Sequence, residues 1–235
     1  MRDELRSKRG PEISGMFGRI AHRYDLLNRV LSLGQDRGWR RLLARRVAAV
    51  RPRLTLDVCT GTGDVALAFD RESPTMGTDF CLPMLVLARR KVLDRKQSLP
   101  LFAGDALKLP VAGGSVDVVT VAFGVRNFED LELGLRELIR VLRPGGVLLI
   151  LEFSRPSGLF GPLMRGWVRT VPPLVGRWLS GDSEAYSYLP QSVSEFPQGQ
   201  RMVDLLESVG LEQVSALPVT GGVATVYEGK RSTHG

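Results

Sequence analysis

The stretch Leu56-Asp-Val-Cys-Thr-Gly-Thr-Gly-Asp64 determines which fold the chain is expected to adopt. Its mostly apolar start predicts a buried strand, and Gly61 and Gly63 predict a tight turn that leads into a helix. Glycine at such a turn lets the backbone approach a ligand and places the amide groups of a helix N-terminus beside it. Gly61-x-Gly63-x-x-Ala66 also fits the relaxed dinucleotide fingerprint, and similar turns occur as plain connections. The turn alone therefore does not distinguish a nucleotide-binding site from a plain connection.

Short apolar runs alternate with helical patterns after the turn, which is typical of successive βαβ units and a parallel sheet. The predicted strands are Thr55–Cys59, Thr75–Thr78, Leu101–Ala103, Val116–Ala122, Val147–Phe153, Leu211–Leu217 and Val223–Glu228. The predicted helices among them are Asp64–Phe69, Leu82–Leu93, Leu131–Leu142 and Gln200–Val209. Apolar residues at helical spacing predict two further helices, one on each side of Gly34. The pattern as a whole predicts an α/β protein.

Length and charge favour one globular domain with a basic N-terminal part. The chain has 235 residues, 43% of them hydrophobic, and a net charge of +7. Up to Arg53 there are 14 Lys and Arg residues against 5 Asp and Glu, whereas from Leu54 onward there are 18 against 20. Because the excess lies ahead of the α/β part, it does not indicate a basic strip beside a binding edge, and we expect no nucleic-acid partner.

The sequence indicates no export signal, membrane span or metal site. The opening MRDELRSKRG lacks an apolar signal core. No apolar run approaches the roughly 20 residues that span a bilayer. Cys59 and Cys81 have no companions at metal-ligand spacing. We therefore expect a cytoplasmic protein without a metal.

Acidic residues follow the predicted second and third strands. Asp79 lies 16 residues after Gly63, and Asp105 follows the third strand directly. Since the carboxyl ends of parallel strands share one sheet edge, we expect both carboxylates near the glycine turn, where the first can bind ribose hydroxyls. The second can accept a hydrogen bond from an adenine amino group. A dinucleotide enzyme is disfavoured, because no Tyr-x-x-x-Lys or comparable hydride-transfer pair is present.

Further segments carry a resemblance that extends from about Phe17 to Arg231. They are Phe17-Gly-Arg-Ile-Ala-His-Arg-Tyr-Asp-Leu-Leu-Asn28, Asp57-Val-Cys-Thr-Gly-Thr-Gly-Asp64, Phe123-Gly-Val-Arg-Asn127, Leu142-Arg-Pro-Gly-Gly146, Leu151-Glu-Phe-Ser-Arg-Pro156, Tyr188-Leu-Pro-Gln-Ser192 and Thr220-Gly-Gly-Val223. With these segments the chain resembles the class I S-adenosylmethionine-dependent methyltransferases. Within that class it resembles the ubiquinone/menaquinone biosynthesis C-methyltransferases.

The resemblance implies a three-layer, Rossmann-like class I methyltransferase fold. Its mostly parallel seven-stranded sheet has an antiparallel strand near the C-terminus. Residues 1–12 are expected to be a flexible tail, and residues 13–235 a single domain. Within that domain, residues 13–53 and the helical insertion 154–197 are expected to form a lid. Residues 54–153 form the expected cofactor-binding core, and residues 198–235 a C-terminal unit.

The implied activity is C-methylation of a prenylated quinol ring, from demethylmenaquinol to menaquinol, with S-adenosylmethionine as the methyl donor. The ubiquinone-pathway counterpart is a second candidate acceptor. Because such a quinol stays in the membrane, we expect a transient, peripheral contact with the inner membrane surface; a homodimer remains open. The alternatives are a methyltransferase for another small molecule or for RNA, and a noncatalytic nucleotide-binding module.

The resemblance also assigns roles to individual residues. Those implied for the methyl donor are Gly61, Thr62, Gly63, Asp79, Asp105 and Ala106. Ala122 stands where some members of the family have Ser, so its side chain supplies no hydrogen bond there. Arg126 and Asn127 are the expected catalytic residues. Since Arg is not deprotonated in proteins, Arg126 would stabilise the quinol anion or orient a water molecule that takes the proton, and Asn127 would fix the geometry.

Overall fold

Seven strands form one sheet at the centre of the molecule. The computed structural model describes residues 34–69, 73–155 and 191–233, and before them residues 15, 18, 19, 21, 22, 24–26, 28, 29 and 32. The strands are β1 (Thr55–Val58), β2 (Thr75–Asp79), β3 (Leu101–Ala103), β4 (Val116–Ala122), β5 (Leu142–Phe153), β6 (Leu211–Val219) and β7 (Ala224–Arg231). Their order across the sheet is β3-β2-β1-β4-β5-β7-β6.

The first five strands are parallel, and β7 runs antiparallel to both of its neighbours, β5 and β6. The predicted mostly parallel seven-stranded sheet, with an antiparallel strand near the C-terminus, is thereby confirmed. The strand order reverses between β1 and β4. Open α/β sheets bind ligands beyond the carboxyl ends of the strands at such a reversal. The topology alone therefore predicts a ligand site formed by the residues that follow β1, β2 and β4.

Helices cover both faces of the sheet: α1 (Asp36–Val50), α2 (Leu82–Asp94), α3 (Leu131–Val141) and α4 (Gln200–Ser208). Successive residues of a strand point to opposite faces, so the central strands supply two cores. Val118 and Leu149 pack in the cluster that contains residues of α1. Val119 and Ile150 pack in the cluster that contains residues of α3 and α4. This is the predicted three-layer arrangement.

Helix α1 packs within this layered core, although residues 13–53, which include it, were expected to form part of a lid. Its buried apolar residues, Trp39, Leu43 and Val47, recur at helical spacing and pack against the sheet. Arg37 and Arg41, on its other face, are exposed. The apolar spacing thus predicts the helix correctly, and the structure shows that its partner is the sheet.

The helix predicted over Asp64–Phe69 is wrong in type and length. The segment contains only a 3₁₀ helix, Ala66–Ala68. Leu67 N makes one helical bond to Gly63 O, but the next two amides bond three residues back, and Phe69 is already extended with ψ 151°. Val65, Ala66, Leu67 and Phe69 are buried, so the apolar pattern predicted burial at these positions correctly, but the segment is too short to sustain an α-helix.

Strand β5 begins at Leu142, five residues earlier than predicted. Val116 of β4 pairs with Leu142 and Val118 pairs with Val147, so residues 143–146 form an irregularity inside the strand. Gly145 has φ 74°, which favours glycine. The Pro-Gly-Gly segment, which begins three residues after the end of α3, therefore forms a bulge within β5.

Two parts of the predicted domain organisation lie outside the described residues: the tail over residues 1–12 and most of the insertion over residues 154–197. Among the residues that the structure does describe, no helix is long and apolar enough to cross a membrane. The same residues contain no cluster of three or more His, Cys, Asp or Glu side chains that could hold a metal ion.

Candidate active site

The glycine turn after β1 has the backbone that its sequence predicts. Gly61 has φ 56° and Gly63 has φ 80°, a region in which residues with a side chain are strained. A Cβ atom at Gly63 would also lie 3.2 Å from the Cβ of Ala88 in α2. The turn therefore lies against α2 and needs glycine for both its conformation and its packing.

Asp57 anchors the start of this turn from inside the sheet. One of its carboxylate oxygens accepts a hydrogen bond from Thr60 Oγ1 at 2.6 Å, and the other accepts one from Thr120 Oγ1 at 2.5 Å. Burial raises the pKa of Asp57 to about 6, against the opposing effect of these two hydrogen bonds. Asp57 lies within a motif quoted above but has no role assigned from the sequence; an acid between Leu56 and Val58 is the signal that could have identified it.

Asp79 ends β2, as predicted, and contacts the glycine turn directly. Its Oδ2 accepts a hydrogen bond from Gly61 N and its Oδ1 accepts one from Cys81 N, both at 2.8 Å. Burial raises the pKa of Asp79 above its ordinary value, although the backbone hydrogen bonds oppose that shift. Each carboxylate oxygen has a second lone pair, so Asp79 can hold the turn and still accept hydrogen bonds from a ligand.

Asp105 and Ala106 lie at the same edge, beyond β3. Gly104 N donates to Asp79 O at 3.1 Å, which joins the ends of β2 and β3. The Asp105 side chain is exposed and its Oδ1 accepts a hydrogen bond from Leu107 N at 2.9 Å, whereas Ala106 is buried. Ala122 ends β4 and is half-buried. The structure therefore brings the predicted donor residues of three strand ends to one edge.

Thr62 lies in the same turn, in contact with two charged residues that the sequence analysis missed. Its hydroxyl donates to Asp25 Oδ1 at 2.6 Å and accepts a hydrogen bond from Lys91 Nζ at 2.9 Å. Lys91 also pairs with Asp25 at 2.5 Å and with Asp64 at 2.7 Å. Nothing in the local sequence links these positions, because they come from the N-terminal segment, the glycine turn and α2.

Arg126 and Asn127 follow β4 in a short 3₁₀ helix, and both turn back toward the strand end. Arg126 Nη1 donates to Phe123 O and to Glu152 Oε1, at 2.6 Å each. Asn127 Nδ2 donates to Phe123 O at 3.4 Å. The structure therefore places the two predicted catalytic residues together, around the carbonyl oxygen of one residue.

Glu152 is the residue that the sequence analysis overlooked in this part of the site. It lies in β5 among apolar residues, is fully buried, and faces Arg126, whose side chain is only 5% exposed. The signal was present in the sequence, since a single acid interrupts the otherwise apolar run Val147–Phe153. A charged side chain buried in such a run is costly unless a partner of opposite charge is buried beside it.

Tyr24, from the N-terminal segment, adjoins both halves of the site. A Cβ atom built on Gly61 would lie 4.0 Å from an edge carbon of the Tyr24 ring. Burial raises the pKa of Tyr24, and the nearby charges of Arg126, Asp79 and Glu152 also influence it. The N-terminal segment therefore contacts the glycine turn close to the Arg126–Glu152 pair.

This arrangement fits S-adenosylmethionine. The glycine turn presents bare backbone, and the carboxylates of Asp79 and Asp105 suit ribose hydroxyls and an adenine amino group. The buried carboxylates of Asp57, Asp79 and Glu152 also outnumber the one buried cation among them, Arg126, which suits a sulfonium cation.

The fold and the edge that carries these residues define a class I S-adenosylmethionine-dependent methyltransferase. Among solved structures, the chain is similar to an S-adenosylmethionine-dependent methyltransferase from Thermotoga maritima described as a possible histamine N-methyltransferase. The TM-score is 0.62 and the sequence identity 20%, over 93% of this chain and 99% of that one. At this identity the similarity supports the fold alone.

Sequence comparison then defines the family. The model of the ubiE/COQ5 methyltransferase family matches residues 3–231, so the chain belongs to this family. It is 46% identical over 227 residues to a demethylmenaquinone methyltransferase of Deinococcus radiodurans, covering 95% of this chain and 94% of the relative. It is 43% identical over 232 residues to a ubiquinone/menaquinone biosynthesis C-methyltransferase of a Geobacter species, covering 96% and 98%. The expected family and enzyme class are confirmed.

Proposed function

We propose that the chain transfers a methyl group from S-adenosylmethionine to a ring carbon of demethylmenaquinol, giving menaquinol. The observation that carries this proposal is the 46% identity to a demethylmenaquinone methyltransferase over 94% of that relative. The ubiquinone-pathway counterpart is a second acceptor to be tested, because the Geobacter relative is named for both pathways.

The residues at the sheet edge would hold the donor, which supplies an electrophilic methyl group. Asp79 would accept hydrogen bonds from ribose hydroxyls, and Asp105 from the adenine amino group. Gly61, Gly63 and Ala106 would leave room for the donor, and Ala122 would contribute backbone only. The Thr62 hydroxyl would bind the donor by exchanging its hydrogen bond to Asp25. No metal takes part in this scheme.

Arg126 and Asn127 would act on the acceptor. A quinol ring becomes a stronger carbon nucleophile when it loses a phenolic proton, and it then carries negative charge. Because arginine is not deprotonated in proteins, Arg126 would stabilise that anion or orient a water molecule that accepts the proton. Asn127, which also donates to the Phe123 carbonyl oxygen, would fix the geometry.

The same proposal includes a cytoplasmic enzyme that meets its prenylated acceptor at the membrane surface. The basic N-terminal part would contact anionic lipid while the quinol enters. Tyr24 and Asp25, which contact the glycine turn, would belong to the part of residues 13–53 that closes over the site. Sedimentation would decide whether two copies form the homodimer that the sequence leaves open.

A single assay tests the choice of acceptor. The chain is incubated with methyl-labelled S-adenosylmethionine and with reduced demethylmenaquinone, its ubiquinone-pathway counterpart, or structured RNA. We expect label in menaquinol, and calorimetry should show donor binding in the absence of acceptor. Label only in RNA or in another small molecule would favour a different methyltransferase, and absence of donor binding would refute every methyltransferase role.

A further inference from the structure

Glu152 holds Arg126 through both its side chain and its backbone. Oε1 of Glu152 accepts hydrogen bonds from Arg126 Nη1 at 2.6 Å and from Phe153 N at 2.9 Å. Oε2 accepts one from the backbone N of Arg126 at 3.3 Å. With none of its side chain exposed, Glu152 is itself fixed by β5. It therefore holds Arg126, which lies in the short 3₁₀ helix after β4, against the rigid sheet.

One N–H donor of the Arg126 guanidinium is buried without a partner in the described part of the chain. Nη1 also donates to Phe123 O, and the guanidinium carbon lies 5.5 Å from the centre of the Phe153 ring. Nε is buried and has no hydrogen-bond partner among the described residues. A buried N–H without an acceptor is costly, and the cost is removed when a ligand supplies the acceptor.

We infer that Glu152 is a positioning residue for methyl transfer: it fixes the Arg126 guanidinium so that its charge and its unused Nε–H meet the anion of the acceptor ring. This inference rests on the proposed function. Without Glu152, Arg126 would keep its charge but lose its fixed orientation. Donors contribute most to a transition state when they are already oriented before the reaction.

The central test is Glu152→Gln, which preserves the shape of the side chain and removes its charge. We expect kcat to fall by about 10²-fold while KM for the quinol and the donor affinity measured by calorimetry stay near wild type. The matched control is Glu228→Gln. Glu228 also pairs with an arginine, Arg46 at 2.9 Å, but both side chains are partly exposed and lie in a pair separate from Arg126. The kcat of Glu228→Gln should equal that of the wild type.

A double-mutant cycle separates positioning from a purely structural effect. If Glu152 acts through Arg126, then adding Glu152→Gln to Arg126→Gln should lower kcat no further. The kcat of each variant is calculated per donor-binding site, with the sites counted by calorimetry. A variant that yields less folded protein therefore does not give a falsely low kcat. Full additivity of the two losses, or a normal kcat per donor site in Glu152→Gln, would overturn the inference.

A substrate-free measurement completes the test. Nitrogen-15 spectra of the arginine side chains, assigned with Arg126→Gln, should show separate Nη signals for a fixed Arg126 in the wild type and a merged signal in Glu152→Gln. Identical Arg126 spectra in both chains would contradict the inference. If the wild type methylates no quinol, the proposed function fails, and these spectra still decide whether Glu152 fixes the guanidinium.

Discussion

At the scale of single residues, the site concentrates buried acids around few cations. Asp57, Asp79 and Glu152 are all buried within the carboxyl half of the sheet, and Arg126 is the cation paired with the last of them. Removing a carboxylate from water favours its protonated form, which is why burial raises the pKa of Asp57 and of Asp79. These buried carboxylates therefore destabilise the folded chain when they are ionised, and a cationic ligand bound near them would reduce that cost.

The effect of burying a carboxylate on stability can be measured at Asp57. Its pKa is about 6 in the folded chain against an ordinary value of 3.8, so the folded state binds the proton more tightly. The contribution to stability is thus complete below the unfolded pKa and is lost as the pH rises through about 6. Two pKa units correspond to about 3 kcal/mol. Asp57→Asn should remove this pH dependence and make the folded chain at least as stable as the wild type at neutral pH.

Urea unfolding of wild type and Asp57→Asn between about pH 4 and pH 7 checks this prediction. The difference in unfolding free energy should shift in favour of the variant as the pH rises. Asp204→Asn is the control, because it removes the same charge from an exposed position of α4. Parallel curves for wild type and Asp57→Asn would mean that the carboxyl titrates normally.

At the scale of elements, a network of ion pairs connects α1, α2, the glycine turn and the N-terminal segment. Asp64 forms ion pairs with Arg40 of α1 and with Lys91 of α2, both at 2.7 Å. Burial raises the pKa of Asp64, but the Lys91 hydrogen bond and the nearby cations outweigh it, so the pKa lies below its ordinary value. Lys91 extends the network to Asp25. The N-terminal segment is thereby attached to the turn expected to hold the donor.

Lys91→Met should loosen that attachment. The variant keeps most of the side-chain length but removes the charge that joins Asp25, Thr62 and Asp64. Because Lys91 is partly exposed, we expect a stability loss of only about 1 kcal/mol. Hydrogen exchange at Tyr24, Asp25 and Leu26 should become faster, and donor affinity measured by calorimetry should fall.

Arg136→Met is the matched control for Lys91→Met. Arg136 also forms an ion pair, with Glu132 at 2.7 Å, but it lies on the exposed face of α3. Exchange in the N-terminal segment should not respond to this change. Unchanged exchange at Tyr24 to Leu26 in Lys91→Met would show that the ion pair does not hold the segment.

These elements also show what could be predicted from the sequence. Strand positions and the edge with Gly61, Asp79 and Asp105 follow from apolar runs and from what stands directly after them, which is local information. The pairs Thr62–Asp25, Thr62–Lys91 and Arg126–Glu152 join residues 26 to 37 positions apart and exist only once the elements pack. The early start of β5 has the same origin, because pairing with Val116 determines it.

At the scale of the whole molecule, the net charge of +7 is distributed unevenly. Helix α1 buries its apolar face against the sheet and presents Arg37, Arg41 and Arg45 on its outer side. These residues recur every four positions, so they form one basic stripe on the surface. Basic residues close to anionic lipid contribute about 1 kcal/mol each. The stripe is therefore the described surface that best supports the proposed membrane contact.

Replacing Arg37, Arg41 and Arg45 together by Gln should weaken binding to anionic vesicles by about 10²-fold, since three lipid contacts would be lost. Flotation with vesicles that contain phosphatidylglycerol measures this, and neutral phosphatidylcholine vesicles should retain little of either protein. The control replaces Arg89, Arg90 and Lys96, three exposed basic residues of α2 and its end, by Gln. Equal losses in both variants would assign the effect to net charge rather than to the α1 stripe. Wild-type protein that fails to float with anionic vesicles would refute the membrane contact itself and leave the prenylated acceptor to be delivered in another way.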